Sequence, residues 1–70
     1  MIETMTGTVK WFDAVKGYGF IETEQGGDIF VHQSEILMSG YRYLEAGQKV
    51  SYEVELTNRG AKARSVIIES

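Results

Sequence analysis

A chain of 70 residues, 43% hydrophobic and 24% charged, has room for one small core, and it is too rich in apolar and aromatic residues to remain disordered. It contains no cysteine, so neither a disulfide framework nor a thiolate metal site supplements that core. A net charge of -3 excludes a binder that holds polyanions mainly by long-range attraction, and any nucleic-acid binding must rest on something else.

Strand signals come first in chain order. Thr6 to Phe12 makes a first strand and Gly17 to Thr23 a second, and the short glycine-containing Glu24-Gln25-Gly26-Gly27 joins it as a β-hairpin to a third, Asp28 to His32. Alternation then lapses: Gln33 to Met38 reads as a short helical turn capped by Ser34, followed by a loop through Gly40 and Gly47. From Val50 to Thr57 it returns, with Val50, Tyr52, Val54 and Leu56 on one face of a half-buried strand. Asn58-Arg59-Gly60 supplies a turn in which Asn and Gly both tolerate positive φ, and Ala61 to Glu69 is the last strand. Five short antiparallel strands in so few residues bury their edges most economically by closing on themselves, so an all-β, five-stranded barrel is expected.

The informative stretch is Lys16-Gly17-Tyr18-Gly19-Phe20-Ile21 followed, after the hairpin, by Asp28-Ile29-Phe30-Val31-His32. Side chains alternate along a strand, so if Ile21, Ile29 and Val31 line the core, then Tyr18, Phe20, Phe30 and His32 share the outer face. Exposed rings beside a few cations suit an unpaired nucleic-acid strand, because every base has a π-face. Gly17 and Gly19 read as positions that leave space for bases beside the rings. Lys10, Lys16 and Arg59 are the candidate phosphate contacts.

Gly7-Thr8-Val9-Lys10-Trp11-Phe12, the KGYGFI run and the DIFVH run resemble the landmark segments of the bacterial cold-shock protein family. The resemblance extends from Thr6 to about Ile68 and takes in Leu44 to Val50 and Asn58-Arg59-Gly60. It implies an oligonucleotide-binding (OB-fold) barrel that keeps RNA free of secondary structure, as an RNA chaperone. A binding module and not an enzyme is expected, with no cofactor or metal, and a monomer, since no residue pattern suggests an obligate interface. Trp11, Tyr18, Phe20, Phe30, His32 and Tyr41 would stack on bases. Lys10, Lys16 and Arg59 would make polar and phosphate contacts, Asp28 would accept a hydrogen bond from a base edge, and Phe12 would sit at the patch edge and pack partly inward. The chain departs from the family at Gln33, where a phenylalanine is frequent, and at Ala61, where many relatives have proline. Met1 to Thr4 would be a short extension of a single domain spanning 1–70.

Other readings are weaker. A peptide-binding barrel could use the same rings for a proline-rich ligand, but the lysines beside them disfavour it. Asp28, His32 and Ser34 supply the residue types of a hydrolytic triad without suggesting its geometry. The KGYG run lacks the ending of a phosphate-binding loop, and the single histidine has no partner ligands for a metal. No apolar stretch approaches a bilayer span and Met1 to Thr4 lacks the character of a signal peptide, so a cytoplasmic location is expected.

Overall fold

The computed structural model describes residues 4–38 and 43–69. Strand β1 spans Thr4–Asp13, β2 Tyr18–Thr23, β3 Asp28–His32, β4 Lys49–Thr57 and β5 Gly60–Ile68, with a single turn of 3-10 helix at Gln33–Glu35 after β3. They close into a barrel in the order β1-β2-β3-β5-β4. Antiparallel pairing joins β1 to β2, β2 to β3, β4 to β5, and β1 to β4. The seam between β3 and β5 is parallel and narrow, with Phe30 opposite Lys62 and an isolated bridge between Ile36 and Val66.

Apolar residues from every strand fill the barrel: Val9, Ile21, Ile29 and Val31, Val50 and Tyr52, and Ala63 and Val66, while Ile36 and Leu44 add side chains from the connector. Each fully buried aliphatic side chain contributes roughly 1.5–3 kcal/mol, so a core of this size leaves little surplus over chain entropy.

Two bulges break the simple alternation. Between Val9 and Trp11, β1 advances two residues while β2 advances one, from Ile21 to Phe20. Without the extra residue, Lys10, an inward Val9 would turn Trp11 inward and Phe12 outward; with it, Phe12 packs against the core and Trp11 faces solvent. On β5 the register shifts where Ser51 pairs Ile67 and Glu53 pairs Arg64, and Ser65 adopts a left-handed backbone with φ of 52°. The extra residue lets Ala63 and Val66, three positions apart, both point inward.

Two expectations are corrected here. Val50 and Tyr52 are buried as the alternation of β4 predicts, but Val54 and Leu56 are 42% and 83% exposed. Among the described residues the β1 ladder on β4 reaches Thr4 opposite Glu53, and beyond that point Val54 to Thr57 pair with β5. The 3-10 turn is capped by His32, whose Nδ1 accepts from the Ser34 backbone N–H at 3.1 Å, and not by Ser34. In the β4–β5 turn, read from Asn58-Arg59-Gly60, positive φ falls on Gly60 at 118°.

Candidate nucleic-acid interface

Strands β2 and β3 carry no bulge between them, so their paired residues share faces in strict order: Tyr18 opposite His32, Phe20 opposite Phe30, and Ile21 opposite Ile29. The isoleucines are buried, whereas Tyr18, Phe20 and Phe30 are half-buried on the outer face and His32 is exposed. The β1 bulge adds Trp11 opposite Phe20, 41% exposed. Ring centroids lie 5.5 Å apart for Trp11 and Phe20, 5.9 Å for Trp11 and Tyr18, 5.8 Å for Phe20 and Phe30, and 5.9 Å for Tyr18 and Phe30. Interplanar angles of 39° to 74° mean that no pair is stacked face to face. Four rings thus pack against one another, two pairs edge-on and two tilted, an arrangement worth roughly 0.5–1.5 kcal/mol per pair beyond area burial.

Glycine 19 makes this patch possible by close approach and not by leaving space for bases, which corrects the expectation from sequence. It is buried, and a Cβ built on it would sit 2.7 Å from the Phe12 Cα and closer still to the Trp11 carbonyl oxygen. Gly17 is likewise buried, with φ of 83°, and its missing side chain is replaced by the Gln33 amide, which a Cβ would meet at 2.9 Å. The Gln33 backbone N–H also donates to the Gly17 carbonyl at 2.8 Å. Gln33 therefore ties the β1–β2 turn to the end of β3.

Polar groups frame the rings. Lys10, the bulged residue, donates through Nζ to Asp28 Oδ2 at 3.0 Å, pairing the candidate phosphate contact with the candidate base acceptor. The hydrogen bond to Asp28, then the charge of that carboxylate, holds the Lys10 ammonium above its ordinary pKa. Lys16 is exposed in the β1–β2 turn, where Asp13 Oδ1 accepts from the Val15 and Lys16 backbone N–H groups at 2.9 Å each. At the far end His32 Nδ1 also lies 2.9 Å from Ser34 Oγ. Because Nδ1 accepts from the Ser34 N–H, the proton of the neutral ring belongs on Nε2, leaving a donor free to point outward.

Arg59 reaches the patch from the β4–β5 turn, where Thr57 Oγ1 donates to the Gly60 carbonyl at 2.7 Å and accepts from the Arg59 N–H at 3.2 Å. With Phe20, Asp28, Phe30, Thr57, Gly60, Ala61 and Lys62 it lines a cleft of about 660 Å³. The participation of Lys62 and of Ala61 was not read from sequence; the register of β5 on β3, which places them there, has no local signature. Tyr41 lies outside the described residues. Among the described residues no group of three or more His, Asp or Glu side chains is placed to hold a metal ion, and no helix is long and apolar enough to cross a membrane.

Comparison with known proteins agrees with this architecture. The family model described as the 'Cold-shock' DNA-binding domain matches residues 5–68. The chain is 55% identical over 64 residues to Cold shock-like protein CspE of Bacillus anthracis, covering 91% of this chain and 96% of that protein. It is 58% identical over 60 residues to Cold shock protein CspC of Bacillus subtilis, covering 86% and 91% respectively. Among solved structures, Drosophila Unr CSD456 superposes with a TM-score of 0.80 at 20% identity, over 97% of this chain and 27% of that one, a likeness of fold. The match over nearly the whole barrel, with more than half of the aligned residues identical in these relatives, places the chain in the cold-shock domain family of nucleic-acid-binding, non-enzymatic proteins.

Proposed function

We propose that this protein holds unpaired RNA or single-stranded DNA across Trp11, Tyr18, Phe20, Phe30 and His32, and by doing so acts as an RNA chaperone. Tyr41 is assigned the same stacking role by family resemblance. The observation that supports this reading best is the continuous patch of four mutually packed rings on the outer face of a barrel whose inner face is filled by a separate buried core. Base–ring stacking contributes roughly 1–3 kcal/mol per base and does not depend on base identity, which suits a protein of net charge -3 that cannot rely on phosphate attraction. Lys10, Lys16 and Arg59 contact phosphates, and Asp28 accepts from a base edge while Lys10 remains beside it.

Binding of the open strand alone shifts a hairpin equilibrium toward the open form by mass action, with no nucleotide hydrolysis. The protein works as a monomer in the cytoplasm. Titration of Trp11 fluorescence with a short oligothymidine, a duplex of equal length and a proline-rich peptide tests the reading. Quenching by the single strand alone is expected; quenching by the peptide but not the oligonucleotide would make the ring face a protein-docking surface.

A further inference from the structure

Strand pairing aligns one residue from each strand in a row across the outer face: Trp11, Phe20 and Phe30, then Lys62, then Glu55. Residues directly opposite on paired strands share a face. Lys62 therefore emerges on the side of the rings while the next residue, Ala63, is wholly buried.

We propose that Lys62 is a further nucleic-acid contact, a phosphate subsite at the end of the ring row that works with Arg59 across the cleft; this rests on the stacking function proposed above. Lys62 and Arg59 are the two cations lining the cleft, and its one acid, Asp28, is already engaged by Lys10 at 3.0 Å. A phosphodiester entering beside Phe30 meets two positive groups and no competing free carboxylate on the cleft wall. At rest the Lys62 ammonium lies 3.6 Å from Glu55 Oε1, and the two side chains are 36% and 40% exposed. A surface pair of this kind contributes only about 0–1 kcal/mol, so the ammonium passes to a phosphate at little cost. Glu55 is then the resting partner that phosphate displaces.

The test is the salt dependence of oligothymidine binding, followed by Trp11 fluorescence in the wild type and in the Lys62→Gln, Arg64→Gln, Glu55→Gln and Phe30→Ala variants. Loss of one phosphate contact on a single strand lowers the slope of log affinity against log salt by about 0.7, which corresponds to roughly fivefold weaker binding at 0.1 M salt. Lys62→Gln is expected to show both effects. Arg64→Gln removes the same charge from the same strand, but Arg64 pairs with Glu53 at 3.9 Å outside the ring row, and its slope should match the wild type. Glu55→Gln should bind at least as tightly as the wild type, and no more than about fivefold more tightly. A wild-type slope in Lys62→Gln, an equal loss in Arg64→Gln, or weakened binding in Glu55→Gln overturns the subsite. Phe30→Ala separates the two levels: weakened binding there with Lys62→Gln unmoved leaves stacking intact and removes Lys62 alone, whereas unchanged binding in Phe30→Ala removes the stacking function itself.

Discussion

Replacing Phe30 with alanine strikes the centre of the ring sheet, because Phe30 lies 5.8 Å from Phe20 and 5.9 Å from Tyr18 and pairs with Lys62 across the seam. Two consequences separate by assay. Folding loses two ring–ring contacts at roughly 0.5–1.5 kcal/mol each, so urea denaturation should show a loss of about 1–3 kcal/mol. The Ile29 and Val31 side chains that hold β3 in the core are untouched, and the barrel should remain folded at low temperature. Binding loses one stacking platform at about 1–3 kcal/mol, or roughly five- to 150-fold in dissociation constant. Fluorescence titration with oligothymidine at 10–15 °C, where the variant stays folded, isolates the second effect. A change of less than about twofold in a folded variant would refute base stacking at this position, since even the weakest stacking contact is worth more.

Gly19→Ala should cost at least about 1–3 kcal/mol by overpacking, because the new Cβ meets the β1 backbone and not a movable side-chain tip; thermal melts check this, and a neutral result would mean that β1 can shift freely. Ser65→Val should destabilise by roughly 1–2 kcal/mol, since a β-branched residue resists the left-handed backbone of the β5 bulge, whereas Ser65→Gly should melt close to the wild type. Burial, then the charge of Glu24, pushes the Tyr52 phenol above its ordinary pKa, so the folded state holds this proton more tightly than the unfolded chain does. That contribution is fully present below the unfolded phenol pKa of about 10 and is lost as pH rises through the higher folded value. Tyr52→Phe should therefore move the alkaline unfolding midpoint upward in circular dichroism, and an unmoved midpoint would count against a role for this phenol.

What could be read from the residues was decided by where the strands run without interruption. On β2 and β3, period two holds from Tyr18 to Ile21 and from Asp28 to His32, so the facing of Phe20 and Phe30 followed from the positions of Ile21, Ile29 and Val31. On β1 the same rule could not tell Trp11 from Phe12, because the residue that decides between them is a bulge with no composition signal of its own. Strand β4 illustrates a second limit. Its apolar alternation continues through Val54 and Leu56, but the core cluster draws only Val50 and Tyr52 from this strand, and which part of a strand faces the core is set by the other strands around it. The cap shows a third limit: a serine at a turn is a common capping residue, and only the fold shows the His32 imidazole accepting from the Ser34 N–H. Lys62 escaped notice because it becomes a neighbour of Phe30 through the parallel seam, between segments more than thirty residues apart.

The β1 bulge links stability to binding more directly than the rings do. One extra residue turns Phe12 into the core and Trp11 out onto the patch, and it leaves Lys10 where its ammonium reaches Asp28 on β3. Gly19 is opposite Phe12 and accepts the β1 backbone at a distance no side chain would allow, so the irregular strand can still lie flat on β2. A bulge of this kind raises local twist, and twist is what a short sheet needs to close into a barrel. The irregularity that helps bend β1 toward closure is thus the one that turns the indole ring to solvent. Regularising it would send Trp11 inward and Phe12 outward, exchanging a core residue for a surface one and removing the proposed stacking platform in the same step.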